Sequence, residues 1–305
     1  MAIGGDISAL DYNTVREKID EVLGIGAGTF GYGQTLQSSP VFSGDIVTKT
    51  QWDNLRFDIF NARVHQVGQS PNLIILSDEQ LIDDKANDPV VNYNNQADIC
   101  ALDRLRVDPT QAIISAIGTG NLSVPGQYDY TSSWSSNLTI ELTCTFNDAN
   151  DARFFFNSGG KIQITPSLRG YTDTAQTRNW NSLLDQTGTQ EFGANTDPSV
   201  NFYSLTDNYL TFYIASGSAS YTSNTIKMEA KTNVADNSQG TANIVYIRIT
   251  LTDNYIDLGL PEPGDEIDGT TRIEFAEFKA SGELQPTGLF SITSPFYAVS
   301  SFSAS

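Results

Sequence analysis

Apolar residues fall at helical spacing in three stretches of the first hundred or so residues and then switch to alternation, so the period itself divides the chain. Between Ser8 and Leu23, Val15, Ile19, Val22 and Leu23 lie on one helical face, with Ser8 or Asp11 as the N-terminal cap and Gly24 as the stop. A Gly-rich connector, GIGAGTFGYGQ, follows. The second helix starts at a Thr48 or Thr50 cap, buries Trp52, Leu55, Ile59 and Ala62, turns Asp53, Arg56, Asp58 and Arg63 to the other face and ends at Gly68. A mixed stretch with LIIL at 73–76 leads to a third predicted helix, Asn94 to Val107, spacing Ala97, Cys100, Ala101 and Leu105. Arg104 and Arg106 sit where the helix dipole favours cations, and Pro109 closes the helical part.

From about residue 119 the period becomes two. SNLTIELTCTF sets Leu138, Ile140, Leu142, Cys144 and Phe146 against Thr139, Glu141, Thr143 and Thr145, the pattern of a half-buried strand. Further strands are predicted at 161–165, 208–216, 224–232, 242–253 and 272–284, interrupted by short helices at 148–160 and 174–188. The fold class is α+β: an N-terminal helical segment followed by a larger, mostly antiparallel, β-sandwich-like region with short helical insertions. Residues 1–115 form the helical part, expected to serve attachment or oligomerisation, and 116–305 the β-sandwich-like domain. Three successive rings, Phe154, Phe155 and Phe156, cannot share one helix face, so the 148–160 helix is expected to pack against the sheet with at least one ring on a second surface. The three N-terminal helices look too thin to close a core of their own.

At 305 residues the chain can bury a core without disulfides or metal. Seventeen Lys and Arg against 36 Asp and Glu give a net charge of −19, which argues against nucleic acid or an anionic membrane as partner. The opening MAIGGDISALDYN has neither the basic nor the apolar region of a signal peptide, and no 18-residue apolar window follows, so neither export by the general pathway nor a membrane span is expected. Cys100 and Cys144 read as buried apolar residues rather than a bridge. His65 is the single histidine, so His-based triads and His-rich metal sites lack their parts. Gly26, Gly28 and Gly31 spell GxGxxG but follow a helix and precede a Ser-Pro loop, the wrong context for a dinucleotide. So acidic a chain offers many carboxylate pairs of the kind glycoside hydrolysis uses, and they read first as surface charges in turns. The loop DLGLPEPGDEIDG at 257–269 clusters Asp265, Glu266 and Asp268, and reads as a solvated loop before a calcium site. No catalytic, cofactor-binding or metal-binding residue is assigned, and no cofactor is expected.

Several strings carry a resemblance: IGGDISALDYNTVREKI, VTKTQWDNLRFDIFNARVHQVG, VVNYNNQADI, DARFFFNSGGKIQI, TNVADNSQGTANIVYIRITLTDNY and GLPEPGDEIDGT. Together they resemble virion structural, tail-fibre-like proteins of T4-like phages of marine cyanobacteria and related hosts. The resemblance implies a non-enzymatic protein, assembled in the host cytoplasm and carried on the virion tail, whose partners are other virion proteins and sister copies. A host-surface glycan is the alternative partner, recognised by exposed aromatic rings beside the strand loops, and a polysaccharide depolymerase the further alternative.

Overall fold

The N-terminal periodicity resolves into three helices: α1 (Ala9–Leu23), α2 (Lys49–Val67) and α3 (Pro89–Leu102). In this computed structural model the described residues are 8–24, 31–32, 34–76, 88–104, 112–116, 126–194, 199–255, 266–280 and 292–304. Expectations resting on Gly26, Gly28, Leu105, Pro109, residues 119–120 and Asp265 lie outside them. The described residues fall into two compact units, one drawn from 1–113, 153–159 and 279–293, the other from 114–152, 160–278 and 294–305.

In the helical unit, two capping boxes set the starts of α1 and α2. Asp11 N–H donates to Ser8 Oγ at 3.2 Å while Asp11 Oδ2 accepts from the Ser8 N–H. Thr48, rather than Thr50, pairs in the same way with Gln51. Gly68 ends α2 at φ 66°, the left-handed region that a side chain disfavours. The third helix begins at Pro89 instead of Asn94 and stops at Leu102, because Asp88 caps it and Pro89 fills the first turn, where no N–H is needed. The three helices pack pairwise. Each contributes a ring to an edge-to-face line: Tyr12 to Trp52 at 5.3 Å, Trp52 to Tyr93 at 5.4 Å. Around it Val15, Ile19, Val22, Leu55, Ile59, Ala62, Ala97 and Cys100 are sealed from solvent, in a unit that residues 153–159 from later in the chain also join. The LIIL stretch forms no strand; it runs beside α3, whose Asn92 accepts from Ile74 N–H and donates to Asn72 O.

The remaining elements are β1 (Ala112–Ala116), β2 (Gln127–Tyr130), β3 (Asn137–Thr145), β4 (Lys161–Arg169), β5 (Gln190–Gly193), β6 (Leu210–Ser216), β7 (Thr225–Thr232), β8 (Ile244–Thr252), β9 (Thr270–Ala280) and β10 (Phe296–Ala304), with α4 (Ala149–Asn157) and α5 (Ala175–Thr187) between strands. One sheet runs β1-β9-β4-β5, with β2 beside β9, and the other β10-β3-β8-β7-β6. Leu138, Ile140, Leu142 and Cys144 of β3 meet Leu251, Ile249, Ile247 and Val245 of β8 in antiparallel register, all fully buried. Opposing them, β9 turns Ile273, Phe275 and Glu277 inward, and Tyr297 of β10 donates to Glu277 Oε2 at 2.7 Å from sheet to sheet. The fold is therefore the α+β, mostly antiparallel sandwich expected. The strand predicted at 161–165 continues to Arg169 through Pro166, because β5 pairs only as far as Ile164 and the missing N–H leaves no ladder bond unmade.

The FFFNSGG helix exists as α4, with Phe155 and Phe156 fully buried edge to face at 5.1 Å and Phe154 half-buried. Its expected packing partner was the sheet, yet residues 153–159 cluster with the helical unit, and Asn157 Nδ2 donates to Gly31 O at 3.3 Å.

Candidate interaction surface

His65, Cys100, Cys144 and Asp58 are all built into the interior. His65 is fully buried in the last turn of α2, edge-on to the Tyr32 ring at 4.7 Å. A helix C-terminus favours a cation by up to about 2 kcal/mol. Burial outweighs it and pushes the imidazole down to about 3. Cys100 and Cys144 are free and buried, as their spacing predicted; burial drives the Cys100 thiol up to about 12 and Cys144 further.

Asp58 was expected on the exposed face of α2 and is instead fully buried. Its carboxylate accepts from Gln37 N–H and Ser38 N–H, each at 2.9 Å, and from Ser38 Oγ at 2.6 Å, fastening the 34–38 segment to the helix. Burial raises its pKa, and those three bonds oppose the rise. Gln66 and Tyr32 act similarly: Gln66 Nε2 donates to Tyr32 Oη at 3.0 Å and to Cys100 O at 2.8 Å. Arg63, also expected to be solvated, pairs with Asp103 at 2.7 Å beyond the end of α3.

The sandwich has two comparable anchors. Asp253, after β8, accepts from Gln176 Nε2 and from Trp180 Nε1 at 3.3 Å, tying α5 to the end of the sheet; burial raises its pKa. Trp180 meets Trp134 edge to face at 5.0 Å, and Trp134 donates to Thr271 Oγ1 at 3.1 Å. Glu277 accepts from Ser294 Oγ as well as from Tyr297. Of the acidic loop, Asp268 takes the Thr172 N–H and hydroxyl, and Glu266 is exposed. Among the described residues no group of three or more His, Cys, Asp or Glu could hold a metal ion, and no helix is long and apolar enough to cross a membrane.

What reaches solvent differs between the units. The outward face of the β10-β3-β8-β7-β6 sheet is polar at its centre, with Ile214 and Phe296 exposed on its edge strands. Glu141, Arg248 and Glu229 line up across three strands, and the Arg248 guanidinium lies 3.6 Å from the centre of the Tyr209 ring, whose hydroxyl donates to Glu141. In the helical unit, by contrast, large apolar side chains stand in the open: Leu10 (74% exposed), Phe42 (74%), Ile46 (85%), Ile75 (70%) and Leu102 (82%), with Phe57, Val91 and Ile99 less so. Among the described residues only Ile214 and Phe296 of the sandwich are comparable. Phe42 and Ile46 precede α2 without periodicity, so nothing in the sequence marked them.

No protein-family model matches the chain, and no curated protein or solved structure matches it either.

Proposed function

We propose that this protein is a non-catalytic structural component that works by protein–protein assembly, with the helical unit as its attachment surface. The observation that carries the reading is the distribution of exposed apolar residues: eight of ten such side chains among the described residues fall between Leu10 and Leu102. Exposed apolar side chains that adjoin one another, as Ile99 and Leu102 do one turn apart on α3, mark contact with another protein. The resemblance to tail-associated virion proteins supplies the setting, a particle assembled in the host cytoplasm from this chain, its sister copies and other virion proteins. The charge of −19 keeps such copies soluble until an apolar contact overcomes the repulsion, which salt screens beyond about 8 Å at physiological strength.

The test is incorporation. Immunogold labelling of intact particles should place the protein on the tail, and Phe42→Asp with Ile46→Asp should abolish its recovery in purified particles while leaving its circular dichroism unchanged. Full incorporation of that variant, together with those carrying charges at Ile75 and Leu102, would overturn the reading.

One observation favours a second reading, a glycan-binding module: Tyr221 and Tyr255, both half-buried in loops of the sandwich, lie 4.4 Å apart beside Ser223 and Asn254. Aromatic faces flanked by hydroxyl and amide groups suit a sugar ring. A glycan array separates the two readings, because only the second expects binding that Tyr255→Ala removes.

A further inference from the structure

The third helix carries two stripes. Val90, Tyr93, Ala97 and Cys100 face the core at i, i+3, i+7 and i+10. Diametrically opposite, Val91, Asn95, Asp98 and Leu102 recur at i, i+4, i+7 and i+11, the seam spacing by which one helix packs along another, with Ile99 at its margin; all five are exposed. The composition of that outer face is unusual for one kept in water. In PVVNYNNQADICAL Asp98 is the single charged residue, with no Lys, Arg or Glu. Its charge is already met by Lys18 of α1 at 2.6 Å through Oδ1, leaving Oδ2, among the described residues, with one long contact, 3.4 Å from Asn94. The Asn95 side chain makes no hydrogen bond to protein among those described.

We infer that this stripe pairs with the same stripe of a second copy, antiparallel, about a two-fold axis passing between Gln96 and Ala97. The inference rests on the assembly reading above and names its partner. The stripe is self-complementary in that one register. Val91 meets Leu102 of the other copy at both ends, so the two apolar residues cover each other. Asn95 meets Asp98 of the other copy on both sides of the axis, so an amide donor faces the carboxylate oxygen that has capacity left. A parallel pairing would instead set Asp98 against Asp98, repulsive in a chain already at −19. A low-charge helix face is also where copies so acidic can approach each other.

The register makes a sharp test with the full chain. Single substitutions Asn95→Cys and Val91→Cys introduce one accessible thiol each, because Cys100 and Cys144 are buried. At a rise of about 1.5 Å per residue, two copies of residue 95 lie about 4.5 Å apart along the axis in the antiparallel pair, and two copies of residue 91 about 16 Å apart. Mild oxidation should therefore give a covalent dimer of Asn95→Cys and not of Val91→Cys. Analytical ultracentrifugation of the wild type at raised salt should show a monomer–dimer equilibrium that Leu102→Glu weakens at least about tenfold with unchanged circular dichroism. Cross-linking of Val91→Cys at least as readily as Asn95→Cys, or a wild type that stays monomeric at every concentration and salt, would overturn the self-pairing. If Leu102→Glu blocks incorporation into particles although the wild type never dimerises, the stripe docks a different partner: this inference fails and the assembly reading survives.

Discussion

Lowering the pH is the perturbation to which the helical unit should respond most sharply, because its one imidazole sits where it can hold no charge. His65 is fully buried, and its pKa falls from 6.5 to about 3 by burial. In the unfolded chain the same group takes a proton near 6.5. Between those values the unfolded state binds more protons than the folded one, so the stability His65 contributes is whole above pH 6.5 and drains away as pH falls towards 3. At 1.36 kcal/mol per unit the full drop is about 5 kcal/mol, of which about 2 kcal/mol is gone by about pH 5. Asp58 and Asp253 act in the opposite sense, since carboxyls with raised values favour the folded state when protonated, so the His65 contribution is isolated by subtracting the curve of His65→Leu. The assay is urea unfolding across pH, read by the helical signal at 222 nm. Because the chain has a single histidine, nuclear magnetic resonance reports its titration without assignment ambiguity. The imidazole should remain neutral as long as the fold persists. A midpoint near 6.5 in the folded protein, or a wild-type pH profile superimposable on that of His65→Leu, would refute the reasoning.

Other predictions follow from the same interior. Phe155→Ala and Phe156→Ala should each destabilise the protein by about 3–5 kcal/mol, and Phe154→Ala by clearly less, in chemical denaturation. Asp58→Ala strips three donors of their acceptor and should loosen the 34–38 segment, with about 1–3 kcal/mol lost and faster amide exchange at Gln37 and Ser38. Neither thiol should react with a disulfide reagent in the native state, and both should react in guanidinium; prompt native labelling would contradict their burial.

The parts of the fold that were legible in the sequence are those where one period runs uninterrupted. β3 alternates apolar and polar residues along its length, β8 does so from Ile247 on, and both strands sit between two neighbours, so every inward position is apolar. In β10 the signal dissolves: Ser301 occupies an inward phase to bond the Tyr128 hydroxyl, and Phe296 is an outward residue 63% exposed. β2 and β5 are four residues long, too short for any period. The start of α3 was readable in its Asp88–Pro89 pair, but the Asn-rich turn that follows hides the apolar face until Ala97. Asp58 was misplaced for a different reason: its partners, Gln37 and Ser38, lie some twenty residues away in a segment without periodicity, and only tertiary structure brings them over it. The candidate surface was half legible. The helices that bear it were foreseen as an attachment region because three such helices need another surface over their apolar stripes, and residues 153–159 join the unit built round the Tyr12–Trp52–Tyr93 line. The surface is marked instead by apolar side chains left over once that core is complete.

The most direct measurement is a reconstruction of the assembled particle with this chain traced. The account predicts several symmetry-related copies, with Phe42, Ile46 and Leu102 covered by neighbouring protein and the polar outer face of the sandwich turned to solvent. A particle in which the chain is missing, or in which its helical unit faces solvent with those side chains uncovered, would contradict it.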